Sequence, residues 1–110
     1  VIEKNGLMHF FKWKEKEVLK INTYGMLEPE KKNKPLMPQI MIVPLLSYDN
    51  NKNRIGYGVG FYDRYLKRYL KSNKEITTIG LAFSFQKNKK IPVNELDIKL
   101  DYILTEKGLF

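Results

Sequence analysis

The chain has 110 residues, of which 43% are hydrophobic and 13% aromatic, and it contains no cysteine. This composition is typical of one globular domain with a modest core, and it excludes a disulfide framework and thiolate metal sites. The single histidine, His9, excludes a multi-histidine metal site. We predict a cytoplasmic protein without a membrane partner, since no apolar run could span a bilayer and no signal-peptide pattern is present.

The formal charge of +8 favours anionic partners, which include nucleic acid, nucleotides and small polyanions. The aromatic residues are typical of a core and form no recognisable RNA-binding motif, so we predict no nucleic-acid partner. A basic nucleic-acid-binding module remains an alternative. The lysine clusters at positions 31, 32, 34, 87, 89 and 90 are also consistent with an ordinary solvated surface.

The first third of the chain has weak patterns. Residues 7–13 are rich in aromatic side chains, which predicts a strand. Residues 14–20 are mostly charged with two adjacent apolar side chains, which suggests a short helix or helical turn. Residues 21–34 contain Gly25 and Pro29 and are predicted to form a loop.

The rest of the chain alternates strand and helix patterns. Residues 40–46 form a nearly continuous apolar run, typical of a strand buried on both faces of a parallel sheet. Residues 61–71 have apolar side chains at spacings of three and four, which predicts a helix. Residues 76–82 and 101–105 are strand candidates. A strand–helix–strand order predicts a right-handed parallel crossover, hence an α/β sheet that binds ligands beyond the carboxyl ends of its strands.

A glycine-rich segment precedes the predicted helix. Gly56, Gly58 and Gly60 alternate with larger residues, and Arg54 and Asp63 flank them. Glycines permit positive φ angles and close approach to a ligand, and a helix N-terminus favours anions. The spacing G-x-G-x-G matches neither a P-loop nor a dinucleotide fingerprint. The pattern therefore indicates a phosphate-binding loop, with a solvent-exposed turn as the alternative.

Two segments, 43–49 and 53–66, together resemble the signature of the 5-formyltetrahydrofolate cyclo-ligase family. Residues 24–29, 79–83 with Gln86, 91–97 and 101–106 also resemble that family, so the likeness covers nearly the whole chain. The resemblance implies an α/β three-layer sandwich with a mostly parallel central sheet, of the CoA transferase-like type. It also implies that residues 1–110 form a single domain, the C-terminal part of a cyclo-ligase domain whose N-terminal part is absent.

The resemblance implies an ATP-dependent ring closure. The formyl oxygen of 5-formyltetrahydrofolate attacks the terminal phosphate of ATP, nitrogen 10 then attacks the phosphorylated imidate, and phosphate leaves. The products are 5,10-methenyltetrahydrofolate, ADP and phosphate. The implied cofactors are ATP and Mg²⁺, the implied partner is the folate with or without a polyglutamate tail, and the full-length protein is expected to be a monomer. We predict that these 110 residues alone are inactive, and a noncatalytic nucleotide-binding paralogue is the alternative.

The resemblance also implies roles for individual residues. Arg54 and Tyr62 match catalytic positions, and Asp63 and Asp97 match Mg²⁺ ligands. The ATP-binding positions are Arg54, Ile55, Gly56, Tyr57, Gly58, Val59, Gly60, Phe61 and Tyr62, and the folate-binding positions are Tyr24, Tyr57, Gly58, Val59, Gly60 and Phe61.

Ordinary structural roles are alternatives at five of these positions. Arg54 could stabilise a turn, Tyr62 could pack at the start of the helix, and Asp63 could interact with the helix dipole without a metal. Tyr24 could pack at a strand edge, and Asp97 could be an ordinary surface residue. The chain departs from the family pattern at Val59, where glycine is commoner, and at Leu96, where many members have histidine.

Overall fold

The computed structural model describes residues 1–32, 34–70, 75–93 and 97–110. The chain divides into two compact units, Val1–Pro38 and Gln39–Phe110. In the described ranges, no helix combines the length and the apolar character needed to cross a bilayer.

The first unit contains an antiparallel hairpin of β1 (Leu19–Ile21) and β2 (Leu27–Pro29). The Asn22 side-chain oxygen organises its turn by accepting hydrogen bonds from the amides of residues 24 and 26, at 2.9 and 3.0 Å. Gly25 lies in the same turn with φ 77°, where a residue with a Cβ would be strained. The predicted loop over residues 21–34 is therefore wrong in two places. Residue 21 is the last residue of β1, and residues 27–29 form β2, because Asn22 and Gly25 close a hairpin within the predicted loop.

Two other predictions for this unit are wrong. Residues 7–13 form no strand and take part only in isolated bridges, from Met8 to Ile2 and from Phe10 to Leu36. Residues 14–20 form no helix, since a turn closed by Glu17 N and Lys14 O at 2.8 Å leads directly into β1. The backbone groups of the last two residues instead pair with β2, a tertiary partner that local propensity does not reveal.

The second unit contains a four-stranded sheet made of β3 (Ile40–Pro44), β6 (Thr77–Leu81), β7 (Tyr102–Thr105) and β8 (Gly108–Leu109). The strands lie in that order, with β3–β6 and β6–β7 parallel and β7–β8 antiparallel. The predicted α/β class and mostly parallel sheet are confirmed.

The segments between β3 and β6 lie near the predicted site. A short hairpin of β4 (Ser47–Tyr48) and β5 (Arg54–Ile55) follows β3, and helix α1 (Phe61–Leu70) leads back to β6. A 3₁₀ turn, Ser84–Gln86, follows β6. The predicted helix over 61–71 is confirmed as far as Leu70, and position 71 lies outside the described residues.

The two faces of the sheet differ in exposure. On one face Met41 and Val43 are 2% and 0% exposed, whereas on the other Ile40 and Ile42 are 62% and 50% exposed. The prediction that this strand is buried on both faces is therefore wrong. The buried face belongs to a core that also includes Leu66 of α1. The apolar run at residues 40–46 therefore contains a strand whose second face is also apolar but exposed to solvent.

Candidate functional site

The glycine loop, residues 56–60, connects β5 to the N-terminus of α1. Gly58 and Gly60 have φ angles of 91° and 77°, so both occupy the left-handed region that favours glycine. The amide of Arg64 donates to the Gly60 carbonyl at 3.0 Å, which begins the helix immediately after the loop. The Arg64 guanidinium also donates to the Val59 carbonyl at 2.6 Å and restrains the loop against the first turn of the helix.

The backbone amides of the glycine loop, residues 56–60, have no hydrogen-bond acceptor in the described part of the chain. Tyr57 is 69% exposed and Val59 is 41% exposed. Unpaired amides next to a helix N-terminus carry partial positive charge, so this arrangement is suited to an anion such as a phosphate group.

Arg54 lies beneath the loop and faces inward. Its side chain is 5% exposed, its Nη2 donates to Asp63 Oδ2 at 3.3 Å, and its Nη1 donates to the Pro44 carbonyl at 3.2 Å. The guanidinium thus joins the end of β3 to the first turn of α1. The structure brings Arg54 and Asp63 together as an ion pair. The sequence predicted that Arg54 binds ATP and that Asp63 binds Mg²⁺, and both roles stay predictions.

Gly56 of the loop and Tyr62 of α1 both lie close to this buried guanidinium. A Cβ at Gly56 would lie 2.6 Å from Arg54 Nη1, so a side chain there would displace Arg54 from its partners. The Tyr62 ring centroid lies 5.7 Å from the guanidinium carbon. Burial raises the pKa of the Tyr62 hydroxyl, and the charge of Arg54 opposes that rise only in part. Tyr62 is therefore protonated at neutral pH.

The two predicted metal ligands lie in neighbouring segments. Asp63 Oδ1 accepts a hydrogen bond from the Ile98 amide at 3.2 Å, which brings the residue after Asp97 to the N-terminus of α1. Within the described ranges, no group of three or more acidic, histidine or cysteine side chains could hold a metal by itself. Two carboxylates do suit Mg²⁺ when water and substrate phosphate oxygens complete its octahedral shell. A carboxylate pair of this kind fits Mg²⁺ by its chemistry, and the roles of Asp63 and Asp97 as its ligands stay predictions.

Tyr24 belongs to the first unit, where it lies in the turn after β1 and is 54% exposed. Its predicted contact with folate stays a prediction. Ile55 belongs to β5, is 39% exposed and pairs with Ser47. Phe61 is the first residue of α1, and its ring centroid lies 5.3 Å from the Arg64 guanidinium carbon. Leu96, one of the two departures from the family pattern, lies outside the described residues.

Sequence reasoning missed Asp49, which builds the hairpin that leads to the loop. This 3% exposed residue accepts hydrogen bonds from the amides of residues 51, 53 and 91 and from the Asn53 side chain, at 2.9 to 3.3 Å. Burial pushes the pKa of Asp49 upward, but hydrogen bonds, led by that of the Asn53 side chain, outweigh it and the net pKa is lowered. The run Asp-Asn-Asn-Lys-Asn is a recognisable turn pattern that could have identified it.

Gln86 is a second residue whose role the sequence did not reveal. Its Nε2 donates to the Leu45 and Leu46 carbonyls at 3.3 and 3.1 Å, and its Oε1 accepts from the Phe83 amide at 2.7 Å. These bonds hold the 3₁₀ turn after β6 beside the end of β3. The carbonyls at and just after the end of β3 thus accept hydrogen bonds from two side chains, Arg54 and Gln86.

A cavity of about 260 Å³ also lies beyond the carboxyl end of β7. Among its lining residues are Tyr48, Ser84, Lys52, Lys87 and Lys107. Burial raises the pKa of Tyr48, and the Glu106 carboxylate raises it further. The cavity combines a protonated phenol with lysine side chains.

The model of the 5-formyltetrahydrofolate cyclo-ligase family matches residues 1–106. The 5-formyltetrahydrofolate cyclo-ligase of Haemophilus influenzae is 34% identical over 90 residues, which cover 78% of this chain and 47% of that protein. The Escherichia coli K12 protein of the same name is 30% identical over 104 residues, covering 91% of this chain and 56% of that one. The chain spans about half the length of these relatives.

A solved structure shows the same arrangement. The NMR structure of 5,10-methenyltetrahydrofolate synthetase from Aquifex aeolicus superposes with a TM-score of 0.67 at 30% sequence identity. The match covers 87% of this chain and 47% of that chain. The likeness extends to the fold, and it covers about half of a larger protein.

Proposed function

The chain belongs to the 5-formyltetrahydrofolate cyclo-ligase family, and we propose that it contributes the phosphate-binding part of an enzyme that converts 5-formyltetrahydrofolate to 5,10-methenyltetrahydrofolate. The reaction consumes ATP and releases ADP and phosphate, which makes the enzyme a ligase that forms a cyclic C–N bond. The observation that carries the proposal is the row of amides at residues 56–60, directly before α1, none of which donates a hydrogen bond within the described residues. The proposed assembly is a three-layer sandwich, monomeric and cytoplasmic.

The chemistry demands alignment and charge neutralisation. The formyl oxygen is a poor leaving group until a phosphoryl group is attached to it, so the protein must hold ATP and folate together and stabilise charge on the transferring phosphoryl group. The loop amides are suited to bind phosphate oxygens, while Arg54 fixes the loop from below through Asp63 and Pro44. In this proposal Arg54 adds positive charge near the phosphates, and Tyr62 borders them.

Mg²⁺ bound by Asp63 and Asp97 would supply positive charge to the phosphate groups. The exposed Tyr57 and Val59 of the loop, with Tyr24, are proposed to contact the folate. A polyglutamate tail would suit the positive charge of the chain. ATP and the formylfolate are the proposed ligands.

Two matched glycine variants test the proposal. Gly58 and Gly25 both have positive φ angles, and an added Cβ would meet nothing within 4 Å at either position. Alanine therefore imposes a similar backbone strain in both. We expect Gly58→Ala to weaken ATP binding about tenfold, because it shifts amides that bind phosphate. Gly25→Ala is the control and is expected to bind ATP like the unmodified chain.

Isothermal titration calorimetry with ATP and Mg²⁺ measures both affinities, and circular dichroism checks that both variants fold. Equal ATP affinity for the Gly58 variant and the unmodified chain would contradict the proposal. The absence of ATP binding at millimolar concentration in the unmodified chain would contradict it as well.

A noncatalytic nucleotide-binding paralogue is the second candidate. The observation that favours it is the Arg54–Asp63 ion pair, which engages the proposed phosphate-binding side chain with the proposed Mg²⁺ ligand. This candidate predicts that ATP binds while 5-formyltetrahydrofolate does not, even at saturating ATP. Titration of the folate into the ATP complex separates the two candidates.

A further inference from the structure

The cavity beyond the carboxyl end of β7 is lined by residues that the proposed function does not use. They come from the turn of the β4–β5 hairpin, from the 3₁₀ turn after β6, and from β7 and the residues that follow it. None of the described lining residues belongs to the glycine loop or to α1, and all belong to the second compact unit. The carboxyl ends of parallel strands are where α/β sheets bind ligands.

Tyr48 contributes a hydroxyl group that has no protein partner. The residue is only 6% exposed and lines the cavity. Among the hydrogen bonds of the residues that the structure describes, none involves this hydroxyl. Burial raises its pKa, so it is protonated at neutral pH and able to donate. Because buried polar groups are nearly always hydrogen-bonded, this phenol is suited to donate to a ligand in the cavity.

The side chains that line the cavity carry a net positive charge. Three are lysines, Lys52, Lys87 and Lys107, whereas the described lining residues include a single carboxylate, Asp49. The excess is therefore two positive charges. Both oxygens of Asp49 already accept hydrogen bonds, from the amides of residues 51, 53 and 91 and from the Asn53 side chain. Asp49 thus does not neutralise the lysines through direct pairing.

Two of these lysines have no carboxylate partner in the described part of the chain. Neither Lys87 nor Lys107 takes part in an ion pair there. The nearby Glu106 carboxylate instead accepts a hydrogen bond from the Ser84 amide, at 2.6 Å to Oε1 and 3.1 Å to Oε2. Both ammonium groups are therefore available to an anion that enters the cavity.

The size and the walls of the cavity restrict the ligand further. Its volume of about 260 Å³ lies below the roughly 300–1,000 Å³ of ordinary small-molecule pockets, so it suits a ligand of few atoms. Ile103, at 2% exposure, and Phe110, at 59%, add apolar atoms to the lining. The cavity therefore has a basic part for an anionic group and an apolar part for a small organic group.

We propose that this cavity binds a small phosphate-bearing anion, with the phosphate group among Lys52, Lys87 and Lys107 and with the Tyr48 hydroxyl donating to it. A phosphate group carries close to two negative charges at neutral pH, which matches the excess of two positive charges better than a single carboxylate does. The source is either inorganic phosphate or a phosphate monoester with a small organic group. The proposal does not depend on ATP or folate binding at the glycine loop.

Titration of the ¹⁵N-labelled chain with inorganic phosphate, followed by two-dimensional amide NMR at neutral pH and constant ionic strength, tests the proposal. We expect saturable shift changes at the amides of residues 48, 84, 105 and 107. Glycerol 3-phosphate, titrated in the same way, separates the two sources. Tighter binding than that of inorganic phosphate indicates a monoester, and equal or weaker binding indicates free phosphate.

Matched lysine variants distinguish a built site from general charge attraction. We expect Lys87→Gln/Lys107→Gln to weaken phosphate binding about tenfold, because both lost charges line the cavity. The control is Lys89→Gln/Lys90→Gln, which lowers the net charge equally at exposed residues outside the cavity and is expected to bind like the unmodified chain. Tyr48→Phe keeps the ring and is expected to weaken binding about fivefold. The dispersion of the amide spectrum checks that each variant folds.

Three results would overturn the proposal. Equal loss of affinity in the two lysine double variants would show that phosphate follows the net charge of the chain. Binding that Gly58→Ala weakens and Lys87→Gln/Lys107→Gln leaves unchanged would assign phosphate to the glycine loop. The absence of saturable shifts at tens of millimolar phosphate would show that the cavity holds no such anion.

Discussion

Two carboxylates determine the local geometry around the candidate site, the buried Asp49 and the partly buried Asp63. Asp49 holds the turn before β5 through four hydrogen bonds, and Asp63 joins Arg54 to the segment that begins at Ile98. Neither carboxylate needs a ligand to account for its position. Because the Arg54 side chain is buried, removing Asp63 would leave the charge of Arg54 in a poorly solvated place, which is costly.

The variant Asp49→Asn tests how much the charge of this one carboxylate contributes to stability. The folded-state pKa of Asp49 is lowered, so its contribution to stability is complete above the unfolded-state pKa of about 3.9 and is lost as the pH falls through the lower folded value. We expect Asp49→Asn to lower the free energy of unfolding by about 2 kcal/mol at pH 6. Urea unfolding at pH 6 and at progressively lower pH should show the difference from the unmodified chain shrinking below about pH 4. A difference that does not change with pH would contradict the role of the charge.

At the scale of elements, the parallel strands and α1 position the loop. The Pro44 carbonyl at the end of β3 accepts a hydrogen bond from Arg54, just before the loop. The Gly60 carbonyl accepts the first hydrogen bond of α1, so the loop is fixed at both ends. The central strand β6 contains Gly80 on the buried face, where a Cβ would lie 2.6 Å from Leu100 Cδ1 and 2.9 Å from both Ile103 Cδ1 and Leu45 Cδ2. Glycine at this position allows three large side chains to meet over the sheet.

Gly80→Ala tests that packing. The added methyl group overpacks the core from three sides, and we expect it to lower the free energy of unfolding by about 1–3 kcal/mol. Thr77→Ala, on the opposite and exposed face of the same strand, is the control and is expected to change the free energy of unfolding by less than about 1 kcal/mol. Thermal and urea unfolding of both variants give the comparison. Equal stability of the two variants would show that the core adapts to the methyl group without strain.

At the scale of the whole molecule, the chain is about half of the proteins that it resembles. Its sheet has one buried face and one exposed apolar face, and no amide of residues 56–60 donates a hydrogen bond within the described part of the chain. The two compact units, Val1–Pro38 and Gln39–Phe110, each have their own contacts.

We expect the 110-residue chain alone to form no 5,10-methenyltetrahydrofolate from 5-formyltetrahydrofolate, ATP and Mg²⁺. The reason is that the reaction needs two ligands to be aligned in a site closed from water, while the loop described here is open to solvent. The absorbance of the methenyl product measures turnover, and the Haemophilus influenzae relative serves as the positive control. Product that forms only with ATP in the presence of the purified chain would contradict this prediction.

The local sequence determined the glycine loop, helix α1, the parallel strands and the family signature, because each depends on residue types at short spacing. Tertiary structure decided the rest. Arg54 and Asp63 are nine positions apart and became an ion pair only when β5 and the helix N-terminus met. The strand at residues 19–21 exists because a partner strand pairs with it. The exposure of the sheet's second face could not be read from the apolar run at residues 40–46, because hydrophobicity shows that a side chain favours burial but not whether another part of the molecule covers it.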